Sequence, residues 1–148
     1  MLIKTQSMGA VDIDPQRVIE FSKGLIGMPD CKRWALLAPV QDSFFMWLQS
    51  LDRPELMFVV TDPSRYEAKY QVKISQEKMK ELQLTDLSQA TVLVIVNQQG
   101  CYLTGNLQGP LVINSTKFVG EQIALPAGSY STRHTLLELR HVPQSMAA

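Results

Sequence analysis

Residues 91–114 read Thr91-Val92-Leu93-Val94-Ile95-Val96-Asn97-Gln98-Gln99-Gly100-Cys101-Tyr102-Leu103-Thr104-Gly105-Asn106-Leu107-Gln108-Gly109-Pro110-Leu111-Val112-Ile113-Asn114. Three aliphatic, β-branched runs alternate with short polar breaks that contain glycine. The first run, 92–96, is apolar on both faces, which suits a strand covered on both sides. The break at 97–100 ends in glycine and reads as a hairpin connection. Pro110 has no amide hydrogen, so it opens the third strand or sits where the ladder needs no donor. A chain with this stretch in its middle is a β protein.

Composition agrees with one packed domain. The chain has 148 residues, 45% of them hydrophobic, enough for a hydrophobic core and too apolar for a disordered segment. Fourteen basic and 14 acidic side chains give a net charge of zero, so the balance points to neither a nucleic acid nor a membrane surface. Cys31 and Cys101 are far apart with no CxxC spacing, as expected of reduced, buried thiols in a cytoplasmic protein. The N-terminal residues lack an apolar signal core, and no apolar run approaches the ~20 residues that span a bilayer. The expected location is therefore cytoplasmic.

Outward from the central stretch, further strands are expected at 2–5, 10–14, 17–21, 33–37, 44–51, 56–61 and 117–125, the last with Gly120 as a possible bulge. Asp14-Pro15 and Asp62-Pro63 are turns, because proline presets φ and aspartate caps the following backbone. The loop 22–30 carries Gly24 and Gly27. Without a following GK[ST] these glycines read as tight turns at positive φ rather than as a phosphate cradle. One short helix is expected near 75–83, capped by Ser75 and stapled by Ile74 and Met79. The mixed charges around it, Lys73, Lys78, Lys80, Glu77 and Glu81, describe a solvated face. The C-terminal segment, 137–148, reads as a loosely ordered tail after a single domain over 1–136.

Catalytic motifs are missing from the sequence. His134 and His141 have no neighbouring ligand set for zinc. Cys101 with His134 is the one conceivable nucleophile–base pair, and a small cysteine hydrolase built on it would require an exposed Cys101. No Walker, Rossmann, GxSxG or HExxH pattern occurs. The aromatic strand 44–51 holds no lysine or arginine, unlike an RNA-binding sheet. It suits either a central strand between two layers or a strand with one face turned to a protein partner.

The order of features resembles the FliW family. Thr5 and Gly9, Phe21 with Lys23-Gly24-Leu25 and Gly27, Trp47-Leu48-Gln49-Ser50, Asp62-Pro63, and Leu93-Val94-Ile95-Val96 carry the likeness. Asn106 with Pro110-Leu111-Val112-Ile113-Asn114 and then Tyr130-Ser131-Thr132-Arg133-His134 continue it, so that it spans residues 1–136. Departures are Ser22 and Ile26 where the family has proline, Gly109 where it has alanine, and a neutral chain where its members are acidic.

The resemblance implies a mainly β fold: a small antiparallel β-barrel-like single domain with one short helix inserted. It implies no active site and no cofactor. The implied partners are flagellin and the translational regulator CsrA, with no direct nucleic acid, no membrane, and a chain that is monomeric when free. Flagellin binds first; once it is exported, the freed protein binds CsrA away from its RNA surface and relieves repression of flagellin mRNA. A flagellin chaperone without effect on translation is the alternative. An apolar groove for amphipathic segments is expected around Phe45, Trp47 and an exposed edge between Asn106, Pro110 and Asn114. Tyr130, Arg133 and His134 are expected at its rim or against CsrA. For Asn106 and Asn114, turn capping competes with contact.

Overall fold

The computed structural model describes residues 1–41 and 43–139. Among the described residues eleven strands form: β1 (Leu2–Lys4), β2 (Ala10–Asp12), β3 (Ile19–Phe21), β4 (Arg33–Leu37), β5 (Phe45–Ser50), β6 (Met57–Thr61), β7 (Ala90–Gln99), β8 (Tyr102–Gly105), β9 (Leu111–Asn114), β10 (Val119–Gln122) and β11 (His134–Glu138). A single helix, α1 (Gln76–Glu81), lies between β6 and β7. Seven strands close a barrel in the order β3-β4-β5-β6-β7-β9-β10, with β10 returning to β3. The expected mainly β barrel with one short helix is therefore the observed architecture. One pairing departs from antiparallel: Val119 and Gly120 run parallel to Glu20 and Phe21.

β7 is the long element, and it divides its pairing within the nine-stranded sheet. Its first half, Ala90 to Leu93, pairs with β9 and closes the barrel. Its second half, Val96 to Gln99, pairs with β8, which in turn carries β11 as the outermost strand. The strand thus runs through 97–99, which the sequence placed in the connection. The turn is only Gly100-Cys101, with Gly100 at φ 60 as a type II′ hairpin requires at its first position.

Alternation divides the side chains between two layers. Inward-facing Ile19, Phe21, Trp34, Leu48, Val60, Leu93, Leu111 and Ile113 fill the barrel. Trp34 is fully buried, and its indole Nε1 donates to the Cys31 carbonyl at 2.9 Å, so the largest core side chain leaves no polar atom unpaired. Outward-facing positions are covered from outside. The β1–β2 hairpin lays Ile3, Met8 and Val11 over Ala35, Leu37 and Trp47. Gln49, also fully buried, locks this arrangement: it accepts from the Gln6 amide and donates to the carbonyls of Ser50, Pro54 and Leu56.

The helix covers the outer side of β9. Ser75 caps it by accepting from the Lys78 amide, and Ile74 and Met79 join the cluster with Leu82, Leu84 and Val112, as the staple predicts. Its C-terminus is a Schellman turn: the Leu84 amide donates to the Met79 carbonyl at 2.8 Å and the Gln83 amide to the Lys80 carbonyl at 3.0 Å. Gln83 therefore takes φ 57, a position usually held by glycine. Replacing Gln83 by glycine is expected to raise unfolding free energy by about 0.5 kcal/mol, the relief of left-handed strain less the entropy glycine adds to the unfolded chain. Denaturant melts would show a higher midpoint at unchanged slope.

Three expectations are corrected. Gly120 is not a bulge: it pairs in register with Ile113 and Phe21, and a β-carbon there would lie 2.9 Å from the Phe21 ring. The irregularity sits instead in β11, between Thr135 and Leu137. That strand begins inside the expected domain and extends two residues past its boundary at 136, into sequence read as the start of a tail; residues 140–148 of that tail lie outside the described residues. Finally, Cys31 is buried as expected but Cys101, at the hairpin tip, is exposed.

Candidate protein-interaction surface

The residues singled out from sequence fall in three places. Trp47 and His134 lie on one rung that crosses five strands, Trp47–Val59–Val96–Gly105–His134. Four strand spacings separate its ends, ~19 Å along the sheet. Trp47 is half-buried against Ala35 and Leu37, so its ring is fixed by packing while one edge stays accessible. Phe45, two residues earlier on the same face, stacks on Tyr66 with ring centroids 6.3 Å apart. Beside it Phe44 is 51% exposed, and the Arg65 guanidinium sits 4.0 Å from the centre of its ring. The central-strand reading of 44–51 thus holds for its second half, where Leu48, Gln49 and Ser50 are buried, while its first half opens to the surface.

A second group gathers where the loops 62–72, 106–110 and 123–133 cross the outer face of β7. Tyr70 anchors it. Its hydroxyl donates to the Leu107 carbonyl at 2.6 Å, and its ring meets Tyr130 edge-on at 4.7 Å. Burial pushes the Tyr70 hydroxyl up from its ordinary pKa, and the neighbouring Tyr130 adds to the shift, so it remains a donor. Gln108 accepts from the Tyr130 amide and donates to the Leu125 and Pro126 carbonyls. Asn106 caps the next turn by accepting from the Gly109 amide at 3.0 Å, and Pro110 is buried, its carbonyl taking the Ile123 amide. At the rim, Arg133 is exposed and His134 Nε2 lies 3.4 Å from Glu67 Oε2.

Asn114 stands apart and is 1% exposed. Its amide donates to the Leu82 and Gln83 carbonyls, and its Oδ1 accepts from the Thr116 and Lys117 amides. All its polar capacity is spent inside the chain, and nothing is left for a partner. Nor is there an exposed edge at 111–114, because β9 is paired on both sides, with β7 and with β10. Among the described residues the open edge of the large sheet is β11.

Sequence reasoning passed over Tyr66, Tyr70 and Gln108, which position the surface. The signal was present as two tyrosines four apart within a charged loop, where an apolar ring needs something to pack on. The Cys101–His134 pairing is not formed. The Cys101 carbonyl accepts from Leu139 at one end of the β8–β11 ladder, while His134 pairs with Gly105 at the other, ~13 Å along the strand. Exposure of Cys101, which a cysteine hydrolase would require, is met; the base is not in reach. Among the described residues no three His, Cys, Asp or Glu side chains come together as a metal site, and no helix is long and apolar enough to cross a membrane.

The whole of this framework, from β1 to the 130–134 segment, matches known proteins. The family model described as FliW protein matches residues 2–136. The chain belongs to the FliW family. Among relatives named flagellar assembly factor FliW, that of Treponema denticola is 36% identical over 139 residues, covering 93% of this chain and 94% of its own. That of Natranaerobius thermophilus is 34% identical, with 92% of each chain covered. A crystal structure of the flagellar assembly factor FliW superposes with a TM-score of 0.83 at 31% identity, covering 93% of this chain and 97% of that one.

Within this FliW fold, Gly109 leaves little space where the resemblance suggested alanine: a β-carbon would lie 3.1 Å from Gln122 Nε2 and 3.2 Å from Asn106 Nδ2. Gln122 itself bridges loops, donating to the Gly109 carbonyl and accepting from the Ile26 amide. The neutral net charge is distributed in local pairs. Lys78 joins Glu121 and Glu81, and Lys23 joins the same two carboxylates. These hydrogen bonds, first that to Glu121, push the Lys78 ammonium above its ordinary pKa. Asp52 is held below its usual range: desolvation raises it, but the amides of Arg33 and Lys32 and the Arg33 guanidinium outweigh that.

Proposed function

We propose that this chain acts in flagellum assembly as a non-catalytic, protein-binding regulator. In this reading it holds flagellin in the cytoplasm and, when flagellin is exported, binds CsrA and lifts repression of flagellin mRNA. The observation that carries it is the match to flagellar assembly factors over the whole barrel, surface loops included. The outer face agrees with a binding role. Phe44, Phe45 and Trp47 present aromatic surface at the start of β5, and rings held by packing lose little entropy when a partner covers them. His134 and Arg133 supply a polar rim at the far end of the same rung. Asn114 and Pro110, being buried, act through the scaffold.

Calorimetric titration of the protein into CsrA, with and without flagellin, tests the reading. Binding to CsrA that flagellin abolishes is the expected result. If RNA and this protein bind CsrA at separate sites, each must weaken the other by the same factor whichever is added first. Trp47→Ala and Arg133→Ala, each confirmed as folded, are expected to lower affinity for at least one partner by about tenfold or more, the loss typical of an interface anchor. Full affinity of both variants for both partners would remove the proposed surface. No binding to CsrA, with flagellin still bound, would leave a chaperone.

A further inference from the structure

We propose that one mouth of the barrel is a binding site for a small carboxylic acid with an apolar body, an acyl or aryl carboxylate. This end is open. A cavity of about 380 Å3 lies between the first residues of β3 and β7, the last residues of β4 and β9, and the turn 13–17 that forms its lip. Its walls are mostly apolar, Ile13, Ile19, Leu36, Ile113 and Phe118, with the hydroxyl residues Thr91 and Ser115 beside them, and the volume is in the range of sites that enclose small ligands.

One cation, Arg17, lines the cavity. Its guanidinium carbon is 5.7 Å from the centre of the Phe118 ring, an arrangement that orients the planar fork while leaving its edge to pair with a carboxylate. Among the described residues no carboxylate forms an ion pair with it. Asp14 also lines the lip, but its Oδ1 accepts from the Gln16 amide at 2.9 Å and is held by its own turn.

Phe118 gives a second, independent observation. It adopts φ 56 in the β9–β10 connection, and unlike Gln83 it caps no helix. A bulky side chain in the left-handed region is rare and costs on the order of 1 kcal/mol, whereas glycine or asparagine would turn the chain more cheaply. Asn114 enforces the turn through the Thr116 and Lys117 amides, and the Phe118 carbonyl is tied to the Glu20 amide. The strained position holds the aromatic wall of the cavity under Arg17. An apolar chamber with a single oriented guanidinium at its entrance matches an apolar body that carries one carboxylate.

The test uses the full chain with methyl-labelled isoleucine. Octanoate and 4-phenylbutyrate are titrated separately, each beside its neutral amide. Saturable shifts of the Ile13, Ile19 and Ile113 methyls are expected with at least one acid, and which acid binds more tightly tells an acyl from an aryl ligand. Arg17→Gln, at an exposed position, is expected to weaken that acid about tenfold and leave its amide unchanged. Lys117→Gln, which removes a nearby cation outside the cavity lining, is expected to have a much smaller effect. Absence of saturable shifts with both acids, equal binding of acid and amide, or equal losses in the two variants would overturn the proposal.

Discussion

Replacing Asn114 by alanine is expected to lower the unfolding free energy by about 3 kcal/mol, the sum of four hydrogen bonds lost around a side chain that is 1% exposed. The substitution removes both donors to the Leu82 and Gln83 carbonyls and the acceptor of the Thr116 and Lys117 amides at once. Two connections depend on this one side chain, the end of α1 and the β9–β10 turn, so the loss exceeds that of a single cap. For a domain of this size the melting temperature should fall by about 10 °C. Asn114→Asp keeps the acceptor but turns both donors into an acceptor facing two carbonyls, and is expected to cost at least as much. Thermal melts separate this from a contact role: a partner-binding asparagine would change affinity and leave the melting temperature alone.

Gly24→Ala is expected to be more damaging than Gly27→Ala by several-fold, although the two glycines are three residues apart in one loop. Both have positive φ, 66 and 84 respectively, so each pays the left-handed penalty of about 1 kcal/mol. At Gly27 a β-carbon meets nothing within 4 Å. At Gly24 it would lie 2.3 Å from the Met28 carbonyl oxygen and 2.6 Å from the Pro29 α-carbon, which are backbone and cannot swing away. That oxygen accepts from the Leu25 and Cys31 amides, and Leu25 and Cys31 are core residues. Relieving the clash therefore means opening the loop and withdrawing both from the barrel, at a cost of about 3–5 kcal/mol. Chemical denaturation of the two variants side by side would settle the ratio.

Local order was legible where the signal lies in neighbouring residues. The stretches 33–37 and 57–61 read as strands because each is a short, largely apolar run closed by a nearby proline, Pro39 and Pro63, and Ser75 with Ile74 and Met79 announced the helix before any contact was known. Long-range pairing was not legible. Nothing in Val119 and Gly120 tells that they meet Glu20 and Phe21, a hundred residues earlier and in parallel. Gly120 looked like a bulge because its reason, the Phe21 ring against its α-carbon, is tertiary. The last two residues of β11, 137–138, were taken for the start of a tail, since the bulge breaks the alternation and both are exposed. For the surface, both faces of 44–51 are apolar in sequence, and only the pairing of β5 shows that Phe45 and Trp47 share the outer one. Asn114 could not be sorted, because a capping asparagine and a contacting one look alike until their hydrogen bonds are counted.

The divided pairing of β7 gives the molecule two levels of cooperativity. Strands in the closed ring have neighbours on both sides, so none can leave without breaking two ladders. Among the described residues β8 and β11 pair with the ring only through the second half of β7, and peeling them off would expose one ladder while the ring persists. Amide protons of these two strands are expected to exchange through a partial opening at a lower free energy than those of the barrel wall, which should exchange only with global unfolding. A barrel that stays shut while one flap of its sheet opens can remodel one region of its surface and keep its core intact.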